Sequence, residues 1–526
     1  MVVAETTPVA NSISVGDLFW WRIDEPTNPM VISVILGMDG TISLAELRDA
    51  LRPHVEDNIR LQGTPQPNGI YSWRPYFIAS VLLSLVLGWA LRSLCCFSYI
   101  VAFGLLVGIA LETRTGRQWR WVKVKDFALE DHIKLHVLPE ETLECLHGFI
   151  DELASTQLPR DRAQWMVYLI HNAPGGSRIL FRFHHIVGDG AGLGIWFYNL
   201  CTNAEQKKQD MEARHELLAK SKARRAENRT KPSPLAKLDG FVSKVLLILG
   251  GTTKLLFLPR DSNSPVKGAN VGKKKTAVTG KDLLFPLEEV KHVGKALHPN
   301  ITVNDTMCAL VGGAFRRYYQ SLHLHPEQML MRATVPINIR PSTTAPIKME
   351  NDFTIVFKSL PIHLPTPEER IAHFHVRMGF LKRGIEPLLS MFLQHLLTWL
   401  PEPLMRLIVL RFTICSSAVL TNVLSSTVPF SLCGQPLTTA AFWVPTSGDI
   451  GIGISIMTYC DTVAINFIAD ENLIADWAPV VQFMREEWEE MKGILGKEQH
   501  LPVMEPQKTV ELVNLWRTWG FPWNTR

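Results

Sequence analysis

The chain has 526 residues, of which 46% are hydrophobic and 20% charged, so it can bury a large core and form two or more domains. Its formal net charge of +4 is small for this length, which favours neither nucleic-acid binding nor a strongly acidic partner. Eight cysteines without a C-x-x-C pair indicate a reducing compartment rather than a disulfide framework or a zinc site.

The first 60 residues carry the opening signals of a mixed α/β domain. Residues 1–17 have neither a basic region nor an apolar core, so a cleaved secretory signal is not expected. Residues 14–30 predict an opening turn, followed by a strand around Val31–Leu36 and a helix from about Ser43. Ser43 and Glu46 have the spacing of a capping box, in which each side chain bonds the other residue's backbone N–H.

Residues 76–111 predict a membrane hairpin. The segment contains a single charged residue, Arg92, near its middle, and a soluble helix does not need apolar residues on every side. Two crossings return the chain to the same side of the bilayer, and about 18 residues per crossing give about 27 Å, which suits a thin membrane. Basic residues and tryptophans on both flanks place both ends in the cytosol. A shallow re-entrant loop is the alternative.

A polar, highly charged segment at residues 204–234 predicts the boundary between two domains of similar size. The N-terminal domain then spans residues 1–203, including the hairpin insertion, and the C-terminal domain spans residues 235–526. Both halves mix strand and helix patterns, which is typical of an α/β fold with mixed sheets. Residues 385–414 are apolar but interrupted by prolines and charges, and they predict packed helices near lipid.

A histidine pair ends the clearest hairpin of the N-terminal domain, in the sequence FRFHHIVGDGAGLG at residues 181–194. Because side chains alternate along a strand, His184 and His185 must point in opposite directions, and only one of them can serve a given cleft. Asp189 lies within reach of the bend, and the glycines that follow, beginning with Gly190, let the backbone turn sharply and let a ligand come close.

Three interpretations of this motif compete. The histidines can be structural, hydrogen-bonded at the end of an ordinary strand. His185 and Asp189 can bind a metal, although no other cluster of histidines or acidic residues has metal-ligand spacing, so we expect none. One histidine can act as a general base while Asp189 orders the site, and this interpretation fits the H-H-x-x-x-D-G pattern best.

The H-H-x-x-x-D-G motif resembles the signature of the CoA-dependent acyltransferase superfamily. Further stretches resemble the bifunctional wax ester synthase/diacylglycerol acyltransferase (WS/DGAT) family over nearly the whole chain apart from the hairpin insertion. They are the opening GDLFWWRIDEPTNPM, the helix that begins with Asn304 and Asp305, the strand RATVPINIRPS that contains Arg340, and the segment LTNVLSSTVPFSLCGQPL that contains Asn422.

The resemblance implies two chloramphenicol-acetyltransferase-like domains, with the active site in a tunnel between them and the two substrates entering from opposite sides. It implies that His185 is the general base, that His184 packs or orients, and that Asp189 is structural, with Arg340 as the candidate arginine that holds it. Asn304 and Asp305 match the family's Asn-Asp motif, and helix capping is the alternative role for that pair.

The implied function is transfer of a fatty acyl group from acyl-CoA, as a substrate without further cofactor, to a long-chain alcohol or diacylglycerol at a membrane. The endoplasmic reticulum is the expected site, with the catalytic domains in the cytosol, and lipid droplets or the plasma membrane are the alternatives. Two other functions stay open: a membrane-held lipid- or acyl-CoA-binding protein without turnover, and a condensation-type transferase that uses carrier-protein substrates. The oligomeric state and the choice between the two acceptors are not predicted.

Overall fold

The computed structural model describes residues 12–67, 119–201, 258–267, 274–340, 348–383, 386–400, 402–426 and 429–496. The predicted membrane hairpin and the predicted linker at residues 204–234 lie outside these described residues. Within the described ranges, no helix combines the length and the apolar character that a bilayer crossing requires.

Both halves of the chain contain strands and helices. The strands are β1 (Val31–Met38), β2 (Gly63–Pro67), β3 (Trp119–Lys123), β4 (Ile133–Val137), β5 (Trp165–His171), β6 (Arg178–His184), β7 (Lys275–Val278), β8 (Leu284–Pro286), β9 (Arg332–Asn338), β10 (Phe353–Ser359), β11 (Ala418–Leu424), β12 (Ser431–Leu432), β13 (Gln435–Trp443), β14 (Ile452–Tyr459) and β15 (Thr462–Asp470). The α-helices are α1 (Val15–Ile23), α2 (Leu44–Val55), α3 (Ile59–Gln62), α4 (Leu129–His132), α5 (Leu143–Ala154), α6 (Gly190–Cys201), α7 (Leu287–Leu297), α8 (Val303–Ser321), α9 (Pro367–Arg383), α10 (Glu386–Trp399), α11 (Glu402–Thr413) and α12 (Ala478–Lys492).

The first sheet has the strand order β12-β13-β1-β6-β5-β4. The pairs β1–β13, β1–β6 and β5–β6 are antiparallel, whereas β4–β5 is parallel. The hairpin predicted for residues 164–185 is therefore present as β5 and β6. Strands β12 and β13 come from the second half of the chain, so the two halves share this sheet.

The second sheet has the order β10-β9-β11-β14-β15-β7, with β8 paired to β15 beside this path. Strand β11 runs parallel to both of its neighbours, and β14 and β15 form an antiparallel hairpin. Helices α8 and α12 pack on the second sheet through a continuous buried core that includes Phe315, Met484 and Trp488. The mixed α/β class expected from the sequence is thus the observed one.

The helix ends follow the capping signals of the sequence. Ser43 and Glu46 form the predicted capping box at the start of α2, and the residues buried on this helix, Leu47, Leu51 and Val55, recur every four positions. The opening stretch, however, forms helix α1 rather than the predicted turn. Ser14 and Asp17 make a second capping box there, and the following aromatic residues are buried.

Candidate active site

A cavity of about 800 Å³ lies between the two sheets and is lined mainly by apolar side chains. Alternate residues of β1, namely Ile32, Val34 and Leu36, form part of its wall on the side of the first sheet. Strands β9, β10 and β11 and helices α10 and α11 line the side of the second sheet. The volume lies within the range of sites that enclose small organic ligands.

His185 lies on the cavity wall, one residue after the end of β6. Its backbone N–H donates to the carbonyl oxygen of Met30 at 2.7 Å, which fixes the chain at the start of the turn. The imidazole stacks on the indole of Trp20 with ring centroids 4.4 Å apart, and its Nδ1 lies 2.9 Å from Oδ1 of Asn351. The stacking on Trp20 therefore fixes the plane of the imidazole, and the contact with Asn351 holds the edge of the ring that carries Nδ1.

Burial of the imidazole lowers the pKa of His185 to about 4, although the nearby Asp189 carboxylate, a hydrogen bond to the backbone of His185 itself and the Asn351 hydrogen bond act in the opposite direction. A histidine with a lowered pKa is neutral at pH 7. A neutral imidazole can accept a proton, which is the property that a general base requires.

His184 points away from the cavity, as strand alternation requires. Its Nδ1 accepts a hydrogen bond from the backbone N–H of Ile186 at 3.0 Å, and its Nε2 lies 3.7 Å from Oδ1 of Asp24. The ring also meets Trp21 edge-on, with the centroids 5.2 Å apart. Burial raises the pKa of Asp24, but the contacts with His184, Met30 and Arg160 outweigh it and leave that pKa below its ordinary value.

Asp189 and Arg340 form a nearly buried ion pair. Two guanidinium nitrogens of Arg340 lie 2.8 and 3.1 Å from the two carboxylate oxygens of Asp189. The same carboxylate accepts hydrogen bonds from the backbone N–H groups of Gly192 at 2.8 Å and Asp352 at 3.0 Å. Asp189 therefore joins the start of helix α6 to the second half of the chain.

The segment at residues 348–352 packs directly on the glycine-rich turn. A Cβ atom built on Gly16 would lie 2.5 Å from the carbonyl oxygen of Asn351, and one on Gly192 would lie 3.1 Å from that of Lys348. A side chain at Gly16 of helix α1 would collide with this backbone, and one at Gly192 of the turn would require the backbone to shift by a few tenths of an ångström. The glycines of the turn predict the close approach of a ligand; the close approach observed here is by the protein's own chain.

Asp17 and Arg60 complete the surroundings of Asn351. The carboxylate of Asp17 accepts from both the backbone N–H and the side-chain amide of Asn351, each at 2.9 Å. Arg60 donates to Asp17 at 2.6 Å and also to the carbonyl oxygens of Ile186 and Val187. These residues connect the opening helix, the histidine turn and the segment before β10.

The remaining sequence candidates divide between the cavity and the start of helix α8. Gly190 and Asn422 line the cavity. Asn304 accepts a hydrogen bond from the side chain of Asn422 at 3.0 Å. Asp305 is the third residue of helix α8 and closes the capping box that starts at Thr302, and its carboxylate lies 2.9 Å from Nδ1 of His375. The geometry of Asp305 is that of the helix-capping alternative.

Asn351 and Arg60 were not predicted as site residues, and Asp17 appeared only as part of the opening stretch. The available signal for Asn351 is a polar run, residues 350–352, directly before the apolar strand β10, and such runs also mark ordinary strand ends. Arg60 has no signal of its own.

In the described part of the chain, no group of three or more histidine, cysteine or acidic side chains is placed to bind a metal ion.

The fold and the cavity define a class of protein, the two-domain α/β fold of condensation domains and CoA-dependent acyltransferases. Similar solved structures include a WS/DGAT from Marinobacter aquaeolei VT8, with a TM-score of 0.59 and 16% identity over 92% of this chain and 100% of that one. The starter condensation domain of rhizomide synthetase, in complex with C8-CoA and Leu-SNAC, gives a TM-score of 0.52 and 10% identity over 93% of this chain and 95% of that one. At these identities the likeness shows the fold alone.

Sequence comparison gives the family. Residues 109–307 match the wax ester synthase/diacylglycerol acyltransferase catalytic domain, and residues 349–492 match the WS/DGAT C-terminal domain. The two matches together cover more than half of the chain. The chain therefore belongs to the WS/DGAT family, as its motifs predict.

Named relatives are 22% to 27% identical to this chain over the aligned residues. A Mycobacterium tuberculosis H37Rv protein, provisionally named as a diacylglycerol O-acyltransferase, is 27% identical over 292 residues, which are 51% of this chain and 55% of the relative. The Acinetobacter baylyi O-acyltransferase WSD is 22% identical over 268 residues, or 48% of this chain and 56% of the relative. The chain thus spans about half the length of these relatives in the alignments.

Proposed function

We propose that this protein transfers a fatty acyl group from acyl-CoA to the hydroxyl group of a long-chain alcohol or a diacylglycerol. The observation that carries this proposal is the position of His185, a histidine with a lowered pKa on the wall of a large apolar cavity. Membership of the WS/DGAT family and the names of its relatives support the reaction class.

The proposed reaction needs a base because a neutral hydroxyl is a weak nucleophile. As the acceptor oxygen attacks the thioester carbonyl carbon, the imidazole of His185 takes the hydroxyl proton and the new C–O bond forms. The C–S bond then breaks, and the proton on His185 passes to the departing CoA sulfur. No acyl-enzyme is required, and the apolar lining of the cavity limits the water available to hydrolyse the thioester.

Asp189 has a structural role in this proposal. Its carboxylate accepts hydrogen bonds from Arg340, from a backbone N–H at the start of helix α6 and from the backbone N–H of Asp352. These contacts hold the turn that follows His185 against the second half of the chain. Asp189 therefore braces the turn, while His185 reacts with the acceptor.

The decisive assay gives membranes that contain the protein labelled palmitoyl-CoA with either hexadecanol or diacylglycerol. Thin-layer separation of wax ester from triacylglycerol identifies the acceptor. Ester in at least one reaction supports the proposal, and the same membranes carrying His185→Ala should yield at least about 100-fold less. Absence of both products with the unaltered protein would instead support the non-catalytic lipid-binding alternative.

We also propose that the enzyme works at a lipid surface of the endoplasmic reticulum. The apolar sequence of residues 76–111 supports this, because both acceptors partition into lipid. So does the outer face of helices α10 and α11, where large apolar side chains are exposed: Leu388, Phe392, Leu404, Leu407 and Leu410. The inner face of the same helices lines the cavity with Leu393, Leu397 and Val409.

Deletion of residues 76–111 should move much of the protein from the membrane fraction to the supernatant while residual ester synthesis persists. When the substitution Leu407→Glu is added to the deletion variant, more of the protein should leave the membrane fraction. Val137→Glu, at an exposed apolar residue outside α10 and α11, should have no such effect. Loss of folding on deletion would identify the segment as core rather than anchor. Fluorescence microscopy of the full chain separates the endoplasmic reticulum from lipid droplets and the plasma membrane.

A further inference from the structure

We infer that Asn351 is a positioning residue that fixes which nitrogen of His185 carries the proton. The inference rests on the proposed function, in which His185 is the base. It follows from which of the groups around the Asn351 amide can donate hydrogen bonds and which can only accept them. These roles can be assigned one after another, beginning with the carboxylate of Asp17.

The first step is the orientation of the Asn351 amide. Its nitrogen, Nδ2, lies 2.9 Å from a carboxylate oxygen of Asp17 and 2.6 Å from the carbonyl oxygen of His185. Both partners can only accept hydrogen bonds, so the NH₂ group of the amide must face them. The backbone N–H of Asn351 also donates to Asp17, which makes this carboxylate a fixed acceptor for the whole residue.

The second step concerns the imidazole. With Nδ2 facing Asp17, the carbonyl oxygen of the amide faces Nδ1 of His185 at 2.9 Å. A carbonyl oxygen cannot donate, so Nδ1 must carry the hydrogen in the neutral ring. Nε2 then keeps its lone pair, and it is the nitrogen that can take the acceptor's proton.

The third step concerns the ion pair that holds Asp17 in place. This side chain is fully buried, and its counter-charge is Arg60, 2.6 Å away. Arg60 donates in addition to the carbonyl oxygens of Ile186 and Val187, the two residues after His185. One arginine therefore binds both the turn that carries the histidine and the carboxylate that orients Asn351.

The resulting chain of contacts runs from Arg60 through Asp17 and Asn351 to His185. Three of these residues belong to the first half of the chain, whereas Asn351 belongs to the second. The proposed base consequently acquires its reactive tautomer when the segment before β10 is docked on the histidine turn. Without that segment, Nδ1 loses its hydrogen bond to the Asn351 amide, and the ring keeps only the hydrogen bond to the backbone of His185 itself.

The test compares Asn351→Ala and Asn351→Asp in the full chain, with Asn28→Ala as a matched control. Asn28 is also a buried asparagine that joins the two halves, through Gly448 and Lys275, but its contacts do not include His185. Ester synthesis is measured from pH 4.5 to 8 with palmitoyl-CoA and the acceptor that the unaltered protein uses.

Loss of the amide in Asn351→Ala should lower kcat by about 10- to 100-fold, as for other partners that orient a reactive histidine, with KM for acyl-CoA within about threefold. Asn351→Asp keeps an oxygen at Nδ1 but replaces the NH₂ group with a second oxygen, which faces the Asp17 carboxylate and the carbonyl oxygen of His185. Because both of these are acceptors, the orientation of the side chain is lost, and kcat should fall by at least about 10-fold in this variant as well. Asn28→Ala should keep the shape of the unaltered pH profile.

A kcat within twofold of the unaltered value in either Asn351→Ala or Asn351→Asp would overturn the inference. The ring nitrogens of ¹⁵N-histidine-labelled protein give a readout that does not require turnover, with the His185 signals identified by their loss in His185→Ala. They should report a hydrogen on Nδ1 in the unaltered protein and a change in Asn351→Ala. If the unaltered protein forms no ester, the proposed function fails, while these signals still test the tautomer.

Discussion

The turn that carries His185 and the start of helix α8 each contain two adjacent polar residues. They are His184 and His185 at the turn, and Asn304 and Asp305 at the start of the helix. At the turn, partners come from distant parts of the chain, since Asn351 binds His185 and Arg340 binds Asp189. At the start of α8, Asp305 binds Thr302, three residues before it, and its other partner is His375 of the packed helix α9.

This difference distinguishes a site that can take part in a reaction from the capped end of a helix. A capping box satisfies its own helix and would form wherever that helix forms. The His185 turn is held by groups that meet only in the folded protein, and it borders the cavity. Substitutions in these two regions should therefore have different effects on ester synthesis and on stability.

The largest effect is expected for His185→Ala, which should lower ester synthesis by at least about 100-fold because the proton acceptor is gone. The matched variant is His375→Ala, at the histidine that contacts Asp305, and it should stay within about threefold of the unaltered protein. Both are measured as initial rates at pH 7.5 on protein of equal folded content. Equal losses in the two variants would remove the distinction between the regions.

Arg340→Ala should have the next largest effect, on stability. It leaves the nearly buried Asp189 carboxylate without its counter-charge, which should cost about 3 kcal/mol in the free energy of unfolding. Arg52→Ala breaks exposed pairs with Glu56 and Glu130 and should cost less than about 1 kcal/mol. Denaturant unfolding of the two variants compares them directly, and similar costs would contradict a bracing role for Asp189.

The smallest effect is expected at the start of α8. Asp305→Ala removes one half of the capping box and should lower the free energy of unfolding by about 1 kcal/mol. Ester synthesis per folded molecule should stay within about threefold, since the carboxylate contacts helix residues and His375 rather than the His185 turn. A loss comparable to that of His185→Ala would place Asp305 in the reaction after all.

The local features of the site could be predicted from the sequence, because they depend on near neighbours. Strand alternation shows that His184 and His185 face apart, and the pattern of β5 and β6 gives the hairpin that presents them. The family resemblance suggests Arg340 as a partner for Asp189. The capping box of Ser43 and Glu46 is likewise a property of four consecutive residues.

The long-range features could not be predicted in this way. Asn351 lies 166 residues from His185, and Asp17 lies 334 residues from Asn351, so no spacing rule brings them together. The joining of β13 to β1 is also hidden, because strand order in a sheet is set by packing rather than by sequence order. The burial that lowers the pKa of His185 arises from these same distant contacts.

The pH dependence of kcat/KM for the unaltered protein tests the central claim most directly. Because burial lowers the pKa of His185 to about 4, the base is neutral above that pH and becomes protonated as the pH falls through it. The profile should therefore stay flat from pH 8 down to about 5.5 and fall at lower pH, with Asn28→Ala behaving alike. A fall centred at pH 6.5 or above would contradict a buried, neutral His185 as the base.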